Sequence, residues 1–302
     1  MHEGVPAYLA QLLISQYGEE TAERIAAGFE ARRSVTLRAN RLKTDAKTVA
    51  QKLLEKGIQT EMVSWSEDAL IAVDVREDAL TALDLYENGE IYLQSLSSMI
   101  PPVLLGAKPG ENILDMAAAP GGKTTQIAAL TGNQAMITAC EMNKIRADRL
   151  RYNVQRQGAS RVTVMNIDSR NMDDLFSFDR ILLDAPCSGS GTVQLYDPRS
   201  KGQFNQRNLE KTTKAQEALL VKALKLLRPG CEMIYSTCSV LEQENEQIVR
   251  RALKKANAEV VPLALEGFDA VPKLPVSIEG TLCVCPDALY EGFYVAKLRR
   301  KK

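Results

Sequence analysis

Residues 111–125 read ENILDMAAAPGGKTT: a short apolar segment, a loop of small residues, and the start of a helical pattern. From about residue 110 onward, the order strand, loop, helix occurs five times along the chain. Two of these strands are nearly all apolar, which is typical of strands buried on both faces. The repeat therefore predicts an α/β fold with a parallel sheet, whose ligands bind beyond the carboxyl ends of the strands.

The part of the chain before this repeat has a different pattern. Apolar spacing predicts helices at 6–16 and 19–30, a strand at 35–42, and then a capped helix and several short strands. This order is typical of a small α+β module. We therefore expect an N-terminal α+β domain at 1–90 and a larger domain at 91–302, whose tail adds two more strands.

The bulk composition is that of an ordinary soluble protein. The chain has 302 residues, of which 45% are hydrophobic and 25% charged, and its formal net charge is zero. No apolar run is long enough to span a membrane, the N-terminus lacks the pattern of a signal peptide, and the six cysteines are too scattered for a disulfide framework. We expect a cytoplasmic monomer that does not associate with a membrane.

Three basic segments are present on this neutral chain, at 32–43, 144–161 and 199–214. They suggest a polyanion held in a defined groove. On charge alone, three solvated faces balanced by nearby acids explain the segments at least as well.

The loop at 115–125 matches neither of two common nucleotide-binding motifs. A Walker A loop requires a glycine where Ala117 stands, and the G-x-G-x-x-G spacing of a dinucleotide site is absent. Acidic residues instead close three successive strands: Asp115, Glu141 and Asp168. Each alone could cap a loop or helix, but together they suit a ligand with a ribose, an adenine and an amino acid moiety. The series favours S-adenosylmethionine as cofactor.

Two cysteines, Cys187 and Cys238, follow the last two strands of the repeat. Neighbouring strands lie about 5 Å apart, so both thiols could face one pocket, although either alone could be a small buried filler. The one histidine, His2, is at the terminus, which excludes Cys-His proteases and His-dependent zinc deaminases. The cysteine spacing does not fit a zinc site either, and we expect no metal.

A thiolate pair without histidine suits chemistry on a pyrimidine. Addition of a thiolate to carbon 6 makes carbon 5 nucleophilic towards a sulfonium methyl group. Asp184, just before the first cysteine, could contact the edge of a cytosine, and a second cysteine could serve as the base that removes the carbon-5 proton. Sequence spacing alone does not rank the two cysteines.

Several ordered motifs carry a family resemblance: LRANRLK, DMAAAPGGKT, LLDAPCSGSGT, LLRPG, YSTCSVLEQENE and GFYVAKL. From about residue 35 onward, the chain resembles the Sun/Fmu-type (RsmB/RsmF-like) RNA cytosine-5 methyltransferases. The resemblance implies a class I (Rossmann-like) methyltransferase fold that uses S-adenosylmethionine. It also implies a seven-stranded, mostly parallel sheet with an antiparallel last strand, and an RRM-like N-terminal module that binds RNA.

The resemblance also assigns residues. It places Cys238 at the nucleophile and Cys187 at the cysteine that assists release, with Asp184 at a position shared by base and cofactor. The family often has a cysteine where this chain has Ala117, and we expect little effect of that difference. The remaining cofactor positions are Ala117, Ala118, Ala119, Pro120, Gly121, Gly122, Lys123, Glu141, Arg146 and Asp168.

The expected function is methyl transfer to carbon 5 of a cytosine, with 16S ribosomal RNA as the first candidate target. Transfer RNA is the alternative substrate. A non-catalytic RNA-binding factor for ribosome assembly is disfavoured because both cysteines and the cofactor series are present. An oxidoreductase is disfavoured because the dinucleotide motif is absent.

Overall fold

The computed structural model describes residues 4–197 and 204–302. His2 and the stretch 198–203, which includes the start of the third basic segment, lie outside the described residues. By its contacts the chain divides into two compact units. The first unit comprises Met1–Arg33, Leu183–Ala264 and Val271–Lys302, and the second comprises Ser34–Leu182 and Leu265–Ala270.

The second unit begins with an antiparallel sheet in the order β2-β3-β1-β4. Its core contains buried leucine, isoleucine, valine and alanine side chains from the sheet and from the helix that follows β1. That helix begins where the Asp45 side chain accepts a hydrogen bond from the Thr48 amide, a typical N-cap. The elements are β1 (Val35–Ala39), α2 (Ala46–Leu54), β2 (Thr60–Met62), β3 (Ala69–Ala72), α3 (Glu77–Thr81), α4 (Asp84–Glu87) and β4 (Ile91–Leu93).

The same unit continues into a parallel sheet, in which β5 pairs with both β6 and β8, and β6 pairs with β7. β8 begins in this unit, and its last two residues belong to the first unit. The elements are α5 (Leu96–Leu105), β5 (Asn112–Asp115), α6 (Gly122–Leu130), β6 (Met136–Cys140), α7 (Lys144–Arg156), β7 (Val162–Met165), a 3-10 turn (Ser169–Asn171) and β8 (Phe178–Asp184).

The first unit consists of helices and an antiparallel sheet around β13, which pairs with β9, β10 and β12. α1 contains the predicted break between two helical segments, because Gly18 has a φ of 76°. The elements are α1 (Ala7–Glu30), α8 (Gln206–Leu226), β9 (Leu227–Thr237), α9 (Glu246–Leu253), β10 (Ala258–Val261), β11 (Lys273–Leu274), β12 (Leu282–Val284) and β13 (Phe293–Arg300).

Two details of the sheet differ from the sequence prediction of seven mostly parallel strands. The described residues contain four strands from β5 to β8 and five from β9 to β13, which makes nine rather than seven. The pairs formed by β10 to β13 are antiparallel, so parallel and antiparallel pairing are mixed. β10 and β11, the two strands beyond the predicted seven, span four and two residues, which is too short for an alternating pattern to be visible in the sequence.

A tight backbone contact in the first unit generates a test of the packing. Gly28 is buried in α1, and a Cβ atom there would lie 2.0 Å from the Pro286 carbonyl oxygen. Gly-to-Ala in a helix normally stabilises by about 1 kcal/mol. For Gly28→Ala we expect instead a loss of about 1–3 kcal/mol in the free energy of unfolding, because the backbone has to move. Chemical denaturation measures this, and Ser15→Ala on the exposed side of α1 is the control; a stabilised Gly28→Ala would contradict the contact.

Candidate active site

The two cysteines predicted from the strand ends lie in contact in the first unit. The Sγ atoms of Cys187 and Cys238 are 3.1 Å apart, and both residues are free thiols. A disulfide would require about 2.05 Å, so the contact is a sulfur–sulfur hydrogen bond. The chain positions the pair because Cys187 lies just beyond the end of β8 and Cys238 directly follows β9.

Backbone and serine hydrogen bonds join the two cysteine loops. The Gly191 amide donates to the Cys238 carbonyl at 3.0 Å, and the Ala185 amide donates to the Ser236 carbonyl at 2.8 Å. The hydroxyl groups of Ser190 and Ser239, both fully buried, lie 2.8 Å apart. These bonds fix one loop against the other, so the sulfur atoms are held together by their surroundings.

Glycine is required where the Cys187 loop meets the turn before β13. The Gly292 amide donates to the Gly191 carbonyl at 2.8 Å, and a Cβ on Gly191 would lie 2.0 Å from the Gly292 carbonyl oxygen. No side chain fits between the two backbones. The glycine in the PCSGSG stretch therefore serves a close backbone approach.

A buried carboxylate lies beside the same loop. Glu244 is 0% exposed, and its oxygens accept hydrogen bonds from the Ser188 amide at 2.7 Å and the Ser188 hydroxyl at 2.5 Å. Thr212 and Gln216 of α8 donate to the same carboxylate at 3.0 and 3.3 Å. Sequence reasoning did not identify Glu244, although it lies in the YSTCSVLEQENE motif.

The two thiols have different surroundings. The hydrogen bond to Cys238, together with burial and the nearby charge of Glu244, raises the pKa of the Cys187 thiol well above its usual range. Either sulfur can be the donor of the hydrogen bond between them, and the raised pKa favours the protonated form of Cys187.

Asp184 occupies the last position of β8. One of its carboxylate oxygens, Oδ1, accepts a hydrogen bond from the Ser236 hydroxyl at 2.8 Å. The carboxylate is partly exposed at the strand end, where ligands bind in α/β sheets. Ser236 is a further orienting residue that the sequence analysis did not single out.

Open space lies next to Cys187. A cavity of about 400 Å³ is lined by Pro186, Cys187, Ser188, Asn208, Lys211, Thr212 and Ala215. A second cavity of about 590 Å³ shares two of these residues and is lined by Asn205, Arg207, Asn208, Glu210, Lys211 and Lys214. The two cavities together form a groove along α8, in which cationic side chains outnumber the single acid.

The predicted cofactor loop, residues 117–123, lies in the second unit between β5 and α6. Gly121 has a φ of 110°, and α6 begins after it without a side-chain cap. The Asp115 carboxylate accepts a hydrogen bond from Thr124 at 2.6 Å. Lys123 extends from the first turn and donates to the Ser98 hydroxyl at 2.7 Å. The amides at the start of α6 thus lack a side-chain acceptor, as in helices that bind anionic groups.

The other predicted cofactor residues lie at the ends of β6 and β7. Glu141 is 5% exposed, and its Oε1 accepts a hydrogen bond from the Asn143 amide at 2.8 Å. Arg146 lies 3.5 Å from the other oxygen of Glu141 and donates to the Ala119 carbonyl at 3.0 Å. Glu141 and the loop are therefore joined through one arginine side chain.

The third predicted acid, Asp168, has a partner of its own. Both carboxylate oxygens accept hydrogen bonds from Arg170, and these bonds lower the pKa of Asp168. An adenine amino group would have to share the carboxylate with this arginine.

A buried arginine from β1 supports the same loop. Arg38 is 1% exposed and donates to the Gly122 carbonyl at 3.0 Å, the Thr125 hydroxyl at 2.7 Å and the Gln94 side chain at 3.0 Å. Burial lowers its pKa to about 10, so the guanidinium remains charged at neutral pH. The LRANRLK motif contains this residue, whose role sequence reasoning did not predict.

Two family models together match most of the chain. The family model of the 16S rRNA methyltransferase RsmB/F matches residues 102–299, and that of the ferredoxin-like domain of RsmF/B-like methyltransferases matches residues 5–75. The chain belongs to the RsmB/F family. The family resemblance stated from the motifs is thereby confirmed.

Relatives of this RsmB/F chain come from bacteria and eukaryotes. It is 38% identical to the ribosomal RNA small subunit methyltransferase F of Shewanella loihica, over 88% of this chain and 56% of the relative. It is 34% identical to the 25S rRNA (cytosine-C(5))-methyltransferase nop2 of Schizosaccharomyces pombe, over 98% of this chain and 51% of the relative. The chain spans about half the length of these curated relatives.

A solved structure confirms the fold class. The crystal structure of a methyltransferase homolog protein from Pyrococcus horikoshii is 31% identical and superimposes with a TM-score of 0.83, covering 99% of this chain and all of that one. The RsmB/F chain thus has a methyltransferase fold of class I with an N-terminal ferredoxin-like module. None of its helices within 4–197 and 204–302 is long and apolar enough to cross a membrane.

The Arg38 contacts generate a prediction about the loop at 117–123. Arg38→Met removes three hydrogen bonds around a buried site, so we expect the free energy of unfolding to fall by about 1–3 kcal/mol. We also expect faster hydrogen exchange of the amides at 122–126. Arg151→Met, which removes an exposed ion pair to Asp148, is the control and should change stability by less than about 1 kcal/mol. Unchanged exchange in Arg38→Met would contradict the supporting role.

Proposed function

We propose that the chain is an RNA (cytosine-5-)-methyltransferase that transfers a methyl group from S-adenosylmethionine to a cytosine in ribosomal RNA. The observation that carries the proposal is the 3.1 Å contact between two free thiols, Cys187 and Cys238, beside an open cavity. The names of the relatives support the substrate class, since they are methyltransferases of ribosomal RNA, and one name specifies carbon 5 of cytosine. The family description favours 16S rRNA over transfer RNA.

The residues of the second unit fit S-adenosylmethionine. The uncapped start of α6 offers amide groups to the carboxylate of an amino acid moiety, and the small side chains Ala117 to Ala119 allow a close approach. Glu141 offers carboxylate oxygens to the hydroxyl groups of a ribose, with Arg146 holding it in place. Bound there, S-adenosylmethionine supplies an electrophilic methyl group on its sulfonium sulfur.

The residues of the first unit fit the covalent chemistry on the base. The Cys238 thiolate attacks carbon 6 of the cytosine, and the electron pair of the carbon 5–carbon 6 double bond moves to carbon 5, which can then take a methyl group. We assign Asp184 to the cytosine edge, where its carboxylate accepts a hydrogen bond from the amino group and orients the ring.

Release of the product requires a base. Removal of the carbon-5 proton returns the electron pair to the double bond and expels the Cys238 thiolate. Cys187 is the proposed acceptor of that proton. Its own thiol proton passes to solvent once Cys238 is bonded to carbon 6 and no longer holds that proton in the hydrogen bond between the two sulfur atoms. Its sulfur lies next to that of Cys238, close to where the carbon–sulfur bond forms.

The groove along α8 is the proposed path of the RNA strand. Its larger cavity is lined by Arg207, Lys211 and Lys214, and the cavity beside Cys187 shares Lys211. The cationic side chains lie along one groove that ends at the two thiols. This arrangement favours a bound polyanion over the alternative, in which the cations form a scattered solvated face. We further propose that residues 1–90, most of which match the ferredoxin-like domain, contribute to RNA binding.

The cysteines also bear on the location of the protein. All six cysteines are free thiols, which supports a reducing, cytoplasmic location. We propose that the protein acts as a monomer. A non-catalytic RNA-binding factor for ribosome assembly is the second candidate, and it differs in a measurable way: it would bind RNA without a covalent adduct.

Cysteine variants test the proposed chemistry. With a 16S rRNA transcript and tritiated S-adenosylmethionine, we expect Cys238→Ala to abolish methyl incorporation because no carbon–sulfur bond can form. We expect Cys187→Ala to accumulate a covalent protein–RNA adduct, visible as a shifted band on a denaturing gel. Cys231→Ala within β9 is the matched control and should retain activity. Appreciable turnover by Cys238→Ala would rule out its assignment as the nucleophile.

Charge reversal tests the groove. Lys211→Glu and Lys214→Glu should each weaken RNA binding and lower the slope of log affinity against log salt by about 1, because each removes one phosphate contact. Fluorescence anisotropy over a range of salt concentrations measures both effects. Lys254→Glu is the control, since it is exposed in the same unit and lines neither cavity. Equal slopes for all three variants would place the RNA elsewhere.

A further inference from the structure

Glu244 is an unusual residue, because it is a fully buried carboxylate without a cationic partner. Within the described residues, no lysine or arginine forms an ion pair with it, and its side chain is held by neutral donors. Buried charges are normally paired, because removal from water is costly. No cation neutralises the Glu244 carboxylate, so its surroundings have to explain why a carboxylate is present at this position.

The hydrogen-bond network of Glu244 includes the residues immediately before and after Cys187 in the sequence. The residue after the cysteine, Ser188, donates both its amide and its hydroxyl to the carboxylate. The residue before it, Pro186, accepts a hydrogen bond at 3.0 Å from Gln216, which also donates to the carboxylate. Cys187 therefore cannot shift without disturbing this network.

Glu244 is itself anchored by its backbone. Its carbonyl accepts a hydrogen bond from the buried Tyr235 hydroxyl at 2.6 Å, and its amide donates to the Leu241 carbonyl at 3.0 Å. The carboxylate thus has a fixed position relative to the cysteine loop. The hydrogen bond to Cys238 and burial raise the pKa of the Cys187 thiol, and the negative charge of Glu244 raises it further.

The other titratable groups around Cys187 do not cancel this charge. Cys238 is its hydrogen-bond partner, and Tyr235 is fully buried with a pKa raised by burial. Asp184 adds a second carboxylate at the end of β8, and Lys211 is an exposed residue that lines the cavity from α8. Burial and the Glu244 carboxylate therefore both disfavour negative charge on the Cys187 sulfur.

We propose that Glu244 is a positioning residue that makes two chemically identical thiols unequal. Glu244 fixes the Cys187 loop and disfavours negative charge on the Cys187 sulfur, so that Cys238 becomes the thiolate. The inequality is a property of the protein alone; its consequence for methyl transfer rests on the proposed function. The buried charge then has a role that a neutral glutamine of the same shape would not fulfil.

Alkylation of the isolated protein tests this proposal without RNA or cofactor. Iodoacetamide is applied at limiting conversion between pH 6 and 10, and the modified Cys187 and Cys238 peptides are quantified by mass spectrometry. In the wild-type protein we expect Cys238 to react at least tenfold faster than Cys187 at neutral pH. This ratio corresponds to a difference of about one unit between the two thiol pKa values. Glu244→Gln should reduce this ratio at least threefold, because the pKa of Cys187 falls when the negative charge is removed.

Two further variants separate charge from architecture. Glu244→Asp keeps the charge and should keep most of the selectivity, even if it lowers thermal stability. Glu242→Gln is the matched control, since Glu242 lies two residues away and pairs with Arg250 and Ser277 instead. A merely structural role would lower stability in both Glu244 variants and leave the alkylation ratio unchanged. A folded Glu244→Gln with the original ratio would overturn the proposal.

The unmodified protein provides a second, independent test should Glu244→Gln not fold. Its Cys187 should become reactive only at a pH well above the ordinary thiol pKa of about 8.5. Reactivity of Cys187 with an apparent pKa at or below that value would also overturn the proposal. Failure of methyl transfer in any assay would leave both alkylation results standing, so the two proposals can fail separately.

Discussion

The contact between the Cys187 and Cys238 sulfur atoms depends on two loops that are 51 residues apart in sequence. A hydrogen bond between thiols is weak by itself, so it cannot hold the loops together. The loops are held by backbone bonds between Ala185 and Ser236 and between Gly191 and Cys238. The buried pair Ser190 and Ser239 and the backbone approach at Gly292 maintain the same geometry. The two sulfur atoms are therefore positioned by backbone and serine hydrogen bonds around them.

In each unit a buried charged side chain holds a loop that was predicted to be functional. In the second unit, the guanidinium of Arg38 holds the Gly122 carbonyl at the start of α6. In the first, the carboxylate of Glu244 holds Ser188 beside the cysteine. Both charges have uncharged hydrogen-bond partners and are almost completely excluded from solvent. A buried charge with several hydrogen bonds is costly to move, and this makes it suitable for fixing a loop whose own backbone is rich in glycine and other small residues.

Much of this arrangement could be predicted from sequence, because strand ends in a parallel sheet lie at one edge. That constraint was enough to predict that Cys187 and Cys238 lie together and that Glu141 lies beside the loop at 117–123. Glu244 and Arg38 were not predicted, because their importance depends on burial and on partners far away in sequence, such as Gln216 and Gln94. The short strands β10 and β11 were not predicted, because they are defined by pairing with β13 and β12 and have no local pattern.

The composition of the first unit has a consequence for the order of events during synthesis. Its segments come from both ends of the chain: Tyr17 of α1 donates to the Val240 carbonyl, and Gly292 before β13 bonds to Gly191. The backbone contact that closes the Cys187 loop thus cannot form until residue 292 has been translated. The second unit, made from one nearly continuous segment, can already fold before then. A nascent chain can therefore form most of the unit that holds the loop at 117–123 before it completes the backbone contacts of the Cys187 loop.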